Sequence, residues 1–226
     1  MNFAAVETSG EWCSVALWAG GEIAALERRA GHRHGELVLP MLERLLARRG
    51  LSARALDAVA FGAGPGAFTG LRIACGVAQG LALARGIPVL GVSTLEAVAE
   101  ESGARRAVVC LDARMREVYY AALERTPEGW REAIEAQCVA PAAAPLPAGE
   151  GWQGCGNGFA AYGESLRGRL GALLARVSAE THPSAVAVAR LAAPRLAAGE
   201  GVDAALAAPR YLRDKVALTK QERESR

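Results

Sequence analysis

The sequence predicts an α/β protein with a mixed sheet, and two observations carry that prediction. Short apolar runs alternate with helical patterns in the order β-β-β-α-β-α-β-α up to about Gly103. A similar but less regular succession follows, and alternation of this kind is typical of α/β folds. The chain has 226 residues, of which 51% are apolar and 22% charged, so it can bury a substantial core and has an ordinary globular composition.

The chain is expected to begin with a three-stranded meander. Residues 3–6, 13–18 and 23–26 are short apolar runs, and each of them predicts a strand. Gly20 and Gly21 separate the second run from the third, and a glycine pair between two strands indicates a hairpin turn. The first three strands should therefore pair in antiparallel fashion.

An amphipathic helix and two more strands are expected next. Apolar residues recur at every third or fourth position between 37 and 46, which predicts a helix over about residues 35–49. Residues 58–62 and 89–92 are apolar runs that predict strands, and the first of these leads into a glycine-rich loop. Ser93 or Thr94 should cap the helix that follows.

The second half begins near Gly103 and is harder to read. It is expected to contain strands at 107–112 and 118–123 and a helix at 185–198. We therefore divide the chain into an N-terminal subdomain, residues 1–103, and a smaller, degenerate C-terminal subdomain, residues 104–226. The charged tail after Arg213 is expected either to pack back on the protein or to fray.

The loop "GAGPGAFTGLR", residues 62–72, suggests a phosphate site because it is rich in glycine and leads into a helix. It contains no lysine, so it does not match the Walker A pattern. Gly62, Gly64 and Ala67 fit the loose dinucleotide pattern, but Pro65 intrudes and no acidic residue follows at roughly 20 residues. We favour a tight strand-to-helix turn, for which glycine is suited without any ligand.

The helix after this loop, expected over residues 69–85 with Thr69 as its N-cap, is unusually apolar. Its long polar side chains are Arg72, Gln79 and Arg85. Small residues recur at every fourth position, namely Gly76, Gly80 and Ala84. Such a flat stripe lets another helix approach closely, so this helix should pack tightly against its own chain or a partner.

Composition and the N-terminus indicate a protein of the reducing cytoplasm without a membrane segment. The five cysteines form no CxxC pair, and most lie in apolar runs, which is typical of reduced core residues. The first residues, "MNFAAVETSG", lack the basic and apolar regions of a signal peptide. The net charge of +2 does not by itself favour binding to nucleic acid.

Two kinds of catalytic site are weighed and set aside. His32 and His34, with Glu36 nearby, resemble part of a metal site, but no third ligand is close in sequence, so a solvated loop is favoured. His182 precedes a proline and is expected in an exposed turn. No HExxH motif is present, and no serine lies in a Gly-x-Ser-x-Gly setting, so the sequence does not support a peptidase.

Two charged clusters remain. Residues 112–116, "DARMR", form either an active-site cluster or a corner between two strands, with Asp112 capping the turn and Arg114 exposed, and we favour the corner. Basic residues near the C-terminus are Arg210, Arg213, Lys215 and Lys220. They could contact a nucleic acid, but a solvated tail is favoured.

Several motifs together resemble the bacterial TsaB family, also called YeaZ. They are "ETS" at 7–9, "GPGAFTGLRIACGVAQGLA" at 64–82, "GVSTLEA" at 91–97, "DARMREVYYA" at 112–121, "GNG" at 156–158 and "PRYLRDKVA" at 209–217. They occur in the family's order and span nearly the whole chain.

This resemblance implies two ribonuclease-H-like halves of the actin, sugar-kinase and Hsp70 superfamily, each opening with a three-stranded meander. It implies a non-catalytic scaffold and activator of TsaD, the enzyme that transfers threonylcarbamoyl to the adenosine beside the anticodon of tRNA. The small ATPase TsaE joins the two, so ATP is used by partner subunits and this chain needs no cofactor or metal of its own. The contact with tRNA would be indirect.

The resemblance also implies a helix bundle with TsaD, or a homodimer when TsaD is absent, built from helices at about 35–49 and 69–85. The interface residues expected here are Leu37, Met41, Leu45, Phe68, Thr69, Arg72, Ile73, Gly76, Val77, Gly80 and Ala84. The glycine-rich loop would then position a partner-facing helix.

The superfamily's ATP site is expected to have decayed in this chain. Its candidate remnants are Glu7, Thr8, Gly64 and Gly66. ATP-using relatives usually end the first strand with aspartate, and the longer glutamate at position 7 displaces the carboxylate, which a phosphate clamp tolerates poorly. The alternative is an ATP-dependent kinase or phosphatase of a small molecule.

Overall fold

The computed structural model describes residues 1–213, which form two five-stranded sheets with helices around them. The strands are β1 (Phe3–Glu7), β2 (Trp12–Ala19), β3 (Glu22–Arg29), β4 (Ala58–Gly64), β5 (Val89–Ser93), β6 (Arg106–Asp112), β7 (Val118–Thr126), β8 (Gly129–Val139), β9 (Trp152–Cys155) and β10 (Leu174–Ser178). The α-helices are α1 (His34–Arg48), α2 (Phe68–Leu83), α3 (Thr94–Ser102), α4 (Gly158–Ala161), α5 (Gly163–Leu170) and α6 (Ala185–Ala197).

The first sheet has the strand order β3-β2-β1-β4-β5 and confirms the predicted meander. β1, β2 and β3 pair antiparallel, whereas β4 and β5 run parallel to β1. Gly20 and Gly21 form the hairpin turn with φ values of 60° and 84°, in the left-handed region that glycine adopts without strain.

The first sheet is covered on both faces, which explains why every residue of β1 is buried. Helices α1 and α2 pack on one face around Val6, Leu42 and Phe61. Helix α6 packs on the other face around Phe3 and Val188. Thus α6, which the sequence placed in the second half, returns to the first sheet and buries its alanine-rich side there.

The second sheet has the order β10-β9-β6-β7-β8 and repeats the topology of the first. Three antiparallel strands are again followed by two parallel ones. Strands β8 and β10 were missed by the sequence reading because both lie at sheet edges and neither contains a fully buried residue. An edge strand lacks the continuous apolar run that identifies a central strand.

The helix termini follow the predicted chemistry in one case and depart from it in another. Ser93 caps α3, because its Oγ accepts a hydrogen bond from the Glu96 amide at 3.4 Å. Helix α2 begins at Phe68 with Ala67 as its N-cap and without a side-chain cap, so the expectation that Thr69 caps it is wrong. Within residues 1–213, no helix has the length and apolar character needed to cross a membrane.

Candidate functional site

The glycine-rich loop after β4 lies directly on the turn that follows β1. The Thr8 hydroxyl donates to the Gly70 carbonyl at 2.7 Å, and the Ala67 amide donates to the Ser9 carbonyl at 2.7 Å. A Cβ atom at Gly70 would lie 1.9 Å from the Thr8 carbonyl oxygen, and one at Gly66 would lie 2.7 Å from that of Ser9. The glycines are therefore required because two backbones meet here.

The carboxyl group of Glu7 lies inside the protein, against the backbone of Gly62. Its Oε1 accepts a hydrogen bond from the Ser9 amide at 2.6 Å, whereas Oε2 is buried without a partner among the described residues. A Cβ at Gly62 would come within 1.8 Å of Oε2, so only glycine leaves room for this side chain. Burial raises the pKa of Glu7 and favours its neutral form.

Gly64 is covered by the chain near its C-terminus. It has a φ of 113°, and a Cβ placed on it would lie 2.6 Å from the Arg210 carbonyl oxygen. The Arg210 amide donates to the Ala63 carbonyl at 2.7 Å, which fixes this contact.

The described residues of this loop and of the turn at 8–9 thus do not fit a bound ATP. All four candidate remnants, Glu7, Thr8, Gly64 and Gly66, are engaged by other parts of the chain. The carboxyl that should help to hold the metal is buried and favours the neutral form, and the loop backbone bonds to the turn at 8–9 rather than facing an open cradle.

In contrast, α2 presents an open stripe to solvent. Gly76 and Gly80 are exposed, and a Cβ on either would meet no atom of residues 1–213 within 4 Å. Four other exposed positions lie on the same side of the helix, namely Phe68, Thr69, Arg72 and Ala84. Ile73 and Val77 are half-buried at the margin towards α1, where Gly35 approaches Ile73. The α2 residues expected at the interface are therefore accessible.

The α1 residues expected at the interface are placed differently. Met41 and Leu45 are only 6% and 1% exposed and belong to the core on the first sheet, so in this structure they are not available to a partner. Leu37 is half-buried and lines a groove of about 240 Å³ between β3 and α1. The large apolar side chain that is exposed on this helix is Leu39, which is 44% exposed.

A segment near the end of the described residues lies along α2. The tail expected after Arg213, either packed back or frayed, lies outside those residues. We call residues 203–213 the C-terminal strap. The Ala207 carbonyl accepts hydrogen bonds from Cys75 Sγ at 3.5 Å and from Gln79 Nε2 at 3.1 Å. Further along, the ring of Tyr211 packs on Phe68. The "PRYLRDKVA" motif was the available signal, but a charged segment without periodicity does not reveal what it packs on.

The strap ends at the corner between β6 and β7. Arg213 donates to the Ala113 carbonyl at 3.0 Å and pairs with the Glu117 carboxylate, and its side chain is only 17% exposed. The prediction of a solvated side chain is therefore wrong for Arg213. Arg210 is exposed. Lys215 and Lys220 lie outside the described residues.

The "DARMR" cluster forms the corner expected between two strands. Asp112 Oδ1 accepts from the Arg114 amide at 2.8 Å and from the Tyr162 hydroxyl at 3.1 Å, and the Arg114 side chain is 83% exposed. Arg114, Met115 and Arg116 have φ values of 62°, 54° and 63°, which residues other than glycine rarely adopt. The observed contacts of Asp112 hold this turn in place.

Two of the three histidines are less exposed than expected. His34 is the first residue of α1 and is 6% exposed, so the prediction of a solvated loop is wrong for it, although His32 is exposed. His182 stacks on Trp12 and pairs with Glu27 at 3.0 Å, and this hydrogen bond raises its pKa. Among residues 1–213, no three His, Cys, Asp or Glu side chains cluster as a metal site would require.

Comparisons with known proteins agree with this fold. The family model described as "TsaD: tRNA N6-adenosine threonylcarbamoyltransferase" matches residues 27–221. The Escherichia coli protein named tRNA threonylcarbamoyladenosine biosynthesis protein TsaB is 36% identical over 97% of this chain and 98% of its own length. The Haemophilus influenzae protein of the same name is 39% identical over 62% of this chain and 65% of its own length.

Solved structures give the same result. YeaZ from Pseudomonas aeruginosa superposes with a TM-score of 0.87 at 39% identity, covering 93% of this chain and 99% of that one. A second Pseudomonas aeruginosa structure, of a protein described as similar to peptidase YeaZ, has the same TM-score and identity and covers 94% of this chain. The two sheets are accordingly two ribonuclease-H-like halves, and the chain belongs to the TsaB (YeaZ) family.

Proposed function

We propose that the chain is a non-catalytic scaffold and activator subunit in the biosynthesis of threonylcarbamoyladenosine in tRNA. It binds TsaD, and TsaE joins the assembly, in the cytoplasm. The observation that carries the proposal is a contrast within one loop and helix. The residues that would hold a nucleotide are engaged by the chain itself, whereas the helix that they position leaves a stripe open to solvent.

The open stripe supports binding to a helix. Glycines at Gly76 and Gly80 let another helix approach closely, since no side chain separates the two backbones. Phe68 and Leu83 are 37% and 62% exposed beside them, so a partner would remove apolar surface from water. A contiguous exposed apolar surface is typical of a protein interface.

The occupant that we propose is the corresponding pair of helices in TsaD. The TsaD family model matches this chain from residue 27 to residue 221, a range that includes α1 and α2. Two proteins that share such a face can pair like with like about a pseudo-two-fold axis. By the same argument, two copies of this chain would form a homodimer when TsaD is absent.

The test is transfer of labelled threonylcarbamoyl to tRNA in a reconstituted mixture. The mixture contains TsaD, TsaE, the enzyme that supplies threonylcarbamoyl adenylate, ATP and tRNA, with this chain added or omitted. We expect transfer to depend on the added chain, which contributes no cofactor, while ATP is used by the partner subunits. Transfer that does not depend on it would contradict the proposal.

A second measurement addresses the ATP-dependent enzyme expected as the alternative. Isothermal titration of the isolated chain with magnesium nucleotide should show no binding at micromolar concentration, because the loop is packed on the turn at 8–9. Micromolar affinity would favour a kinase or phosphatase instead.

A further inference from the structure

We infer that the C-terminal strap forms one wall of the docking groove, and that Tyr211 on this wall contacts the partner. This inference rests on the proposed function and extends it to a segment and a residue that the sequence reading did not place at the interface. The floor of the groove is the open stripe of α2, and the opposite wall is α1.

Helical geometry places the strap beside the stripe. At about 3.6 residues per turn, Phe68, Arg72, Cys75 and Gln79 lie along one side of α2. Phe68 and Arg72 contact Tyr211 of the strap. Cys75 and Gln79 contact Ala207 of the strap. The stripe with Gly76 and Gly80 is therefore flanked on this side by the strap.

The other side of the stripe faces α1. Ile73 and Val77 lie on average about 60° further around the helix than the two glycines. Both are half-buried. A Cβ at Gly35 of α1 would lie 4.0 Å from Ile73 Cδ1, which shows how closely α1 approaches here. The stripe is thus flanked by α1 on one side and by the strap on the other, and it forms the floor between these two walls.

Tyr211 of the strap forms a preorganised cluster with Phe68 and Arg72 of α2. The Arg72 guanidinium lies 3.7 Å from the centre of the Phe68 ring, and its Nε donates to the Tyr211 hydroxyl at 3.1 Å. The Phe68 and Tyr211 rings are 5.6 Å apart. Tyr211 nevertheless remains 42% exposed and Phe68 37% exposed. Side chains that are held in place before binding lose little conformational entropy when a partner arrives.

The cluster also has the composition of an interface centre. Tyrosine and arginine are enriched among the residues that carry most of the binding energy at protein interfaces. Among the described residues, the terminal nitrogens of Arg72 have no hydrogen-bond partner. The groove therefore fits a helix of the transferase that is apolar and small over the glycines and presents a carboxylate to Arg72.

The experiment measures the affinity of the full chain for TsaD from the same organism by biolayer interferometry. Tyr211→Ala should raise Kd at least tenfold, mainly through faster dissociation. Tyr211→Phe keeps the stacking on Phe68 and loses only the bond to Arg72, so its Kd should rise about two- to fivefold. Leu146→Ala, at a position that is 49% exposed in the second half, is the matched control and should leave Kd within twofold.

A crosslinking experiment distinguishes direct contact between Tyr211 and TsaD from an indirect effect, in which the Tyr211→Ala substitution weakens binding by loosening the strap. A photoreactive benzoylphenylalanine at position 211 should crosslink to TsaD, whereas the same residue at position 146 should not. A Tyr211→Ala affinity within twofold of the original, or the absence of a crosslink from position 211, would overturn the inference. If the unaltered chain does not bind TsaD, the proposed function is contradicted together with the inference. If it binds TsaD with an affinity that does not depend on Tyr211, only the inference is contradicted.

Discussion

Glu7 shows how a single departure from a superfamily pattern is accommodated. The side chain is one methylene longer than the usual aspartate, and it folds against Gly62, whose missing Cβ provides the space. The Ser9 amide satisfies one carboxyl oxygen, and the other is buried without a partner in the part of the chain that the structure describes. An uncompensated buried carboxylate is costly, so the site favours the protonated form.

Glu7 should make the protein less stable as the pH rises. A carboxyl whose pKa is higher in the folded than in the unfolded protein contributes its full stability below the unfolded value of 4.5 and loses it as the pH rises towards the folded value. Glu7→Gln removes this titration. The free energy of unfolding of the original chain, relative to that of Glu7→Gln, should fall by up to about 1.4 kcal/mol per pH unit above pH 4.5.

The measurement is urea unfolding of both proteins at half-unit steps from pH 4 to pH 8. The informative quantity is the slope, against pH, of the difference in free energy of unfolding between the two proteins. Burying the glutamine amide also costs free energy, but that cost is the same at every pH and does not change the slope. Parallel profiles would show that the carboxyl has no raised pKa.

Two glycines of α2 should respond in opposite ways to alanine. Gly70→Ala places a Cβ 1.9 Å from the Thr8 carbonyl oxygen, and this overlap should destabilise the protein by about 1–3 kcal/mol. Gly76→Ala places a Cβ that meets no described atom within 4 Å, and it should stabilise the protein by up to about 1 kcal/mol, since alanine favours a helix. Thermal and urea unfolding check both, and equal effects would contradict the distinction between a contact glycine and an open one.

At the scale of elements, periodicity predicted both helices but not which residues of α1 face outwards. The apolar positions 37, 41 and 45 lie on one side, and the sequence alone does not say whether that side meets the chain's own sheet or a partner. The structure places Met41 and Leu45 in the core. For α2 the answer could be anticipated, because glycines at every fourth position are poor core residues and favour a close external contact.

The stripe of α2 gives a prediction for one substitution. Gly80→Leu adds a branched side chain to a position with open space, so the fold should be retained while an approaching helix is pushed away. Binding to TsaD should fall at least a hundredfold in biolayer interferometry, and threonylcarbamoyl transfer should fall with it.

Gly168→Leu is the matched control for this substitution. Gly168 is also exposed on a helix, α5, with nothing within 4 Å of its Cβ position, but it lies in the second half. It should leave binding unchanged. Normal binding by a folded Gly80→Leu protein would exclude α2 from the interface.

At the scale of the whole molecule, the order of strands and helices along the chain predicted the fold class. The sequence did not predict that α6 and the strap pack against the first half of the molecule. Alternation of strands and helices is local information, and it is enough to indicate an α/β fold. That α6 covers the first sheet, and that the strap follows α2, depends on contacts between residues more than a hundred positions apart, such as Gln79 with Ala207. No motif spacing encodes such contacts.

The strap also joins the two halves, and Arg213 is the link that can be tested. Its guanidinium holds the β6–β7 corner through Ala113 and Glu117, next to the three residues with positive φ. Arg213→Met keeps the aliphatic stem and removes the charge. This substitution should lower the free energy of unfolding by about 1–2 kcal/mol, because it removes a charged hydrogen bond whose donor, Arg213, is largely shielded from water. The loss should not be larger, since Glu117 is partly exposed and water can hydrate its carboxylate.

Arg131→Met provides the comparison, since Arg131 pairs with Glu124 across two strands but is itself 63% exposed, where an ion pair contributes about 0–1 kcal/mol. Urea unfolding measures both losses, and hydrogen exchange locates them. Faster exchange in Arg213→Met should be confined to residues 113–117 and the strap, since these are the segments that the guanidinium connects. If Arg213→Met and Arg131→Met behave alike, the strap lies on the second half without being held there, and its position depends instead on the contacts of Ala207, Arg210 and Tyr211 with the first half.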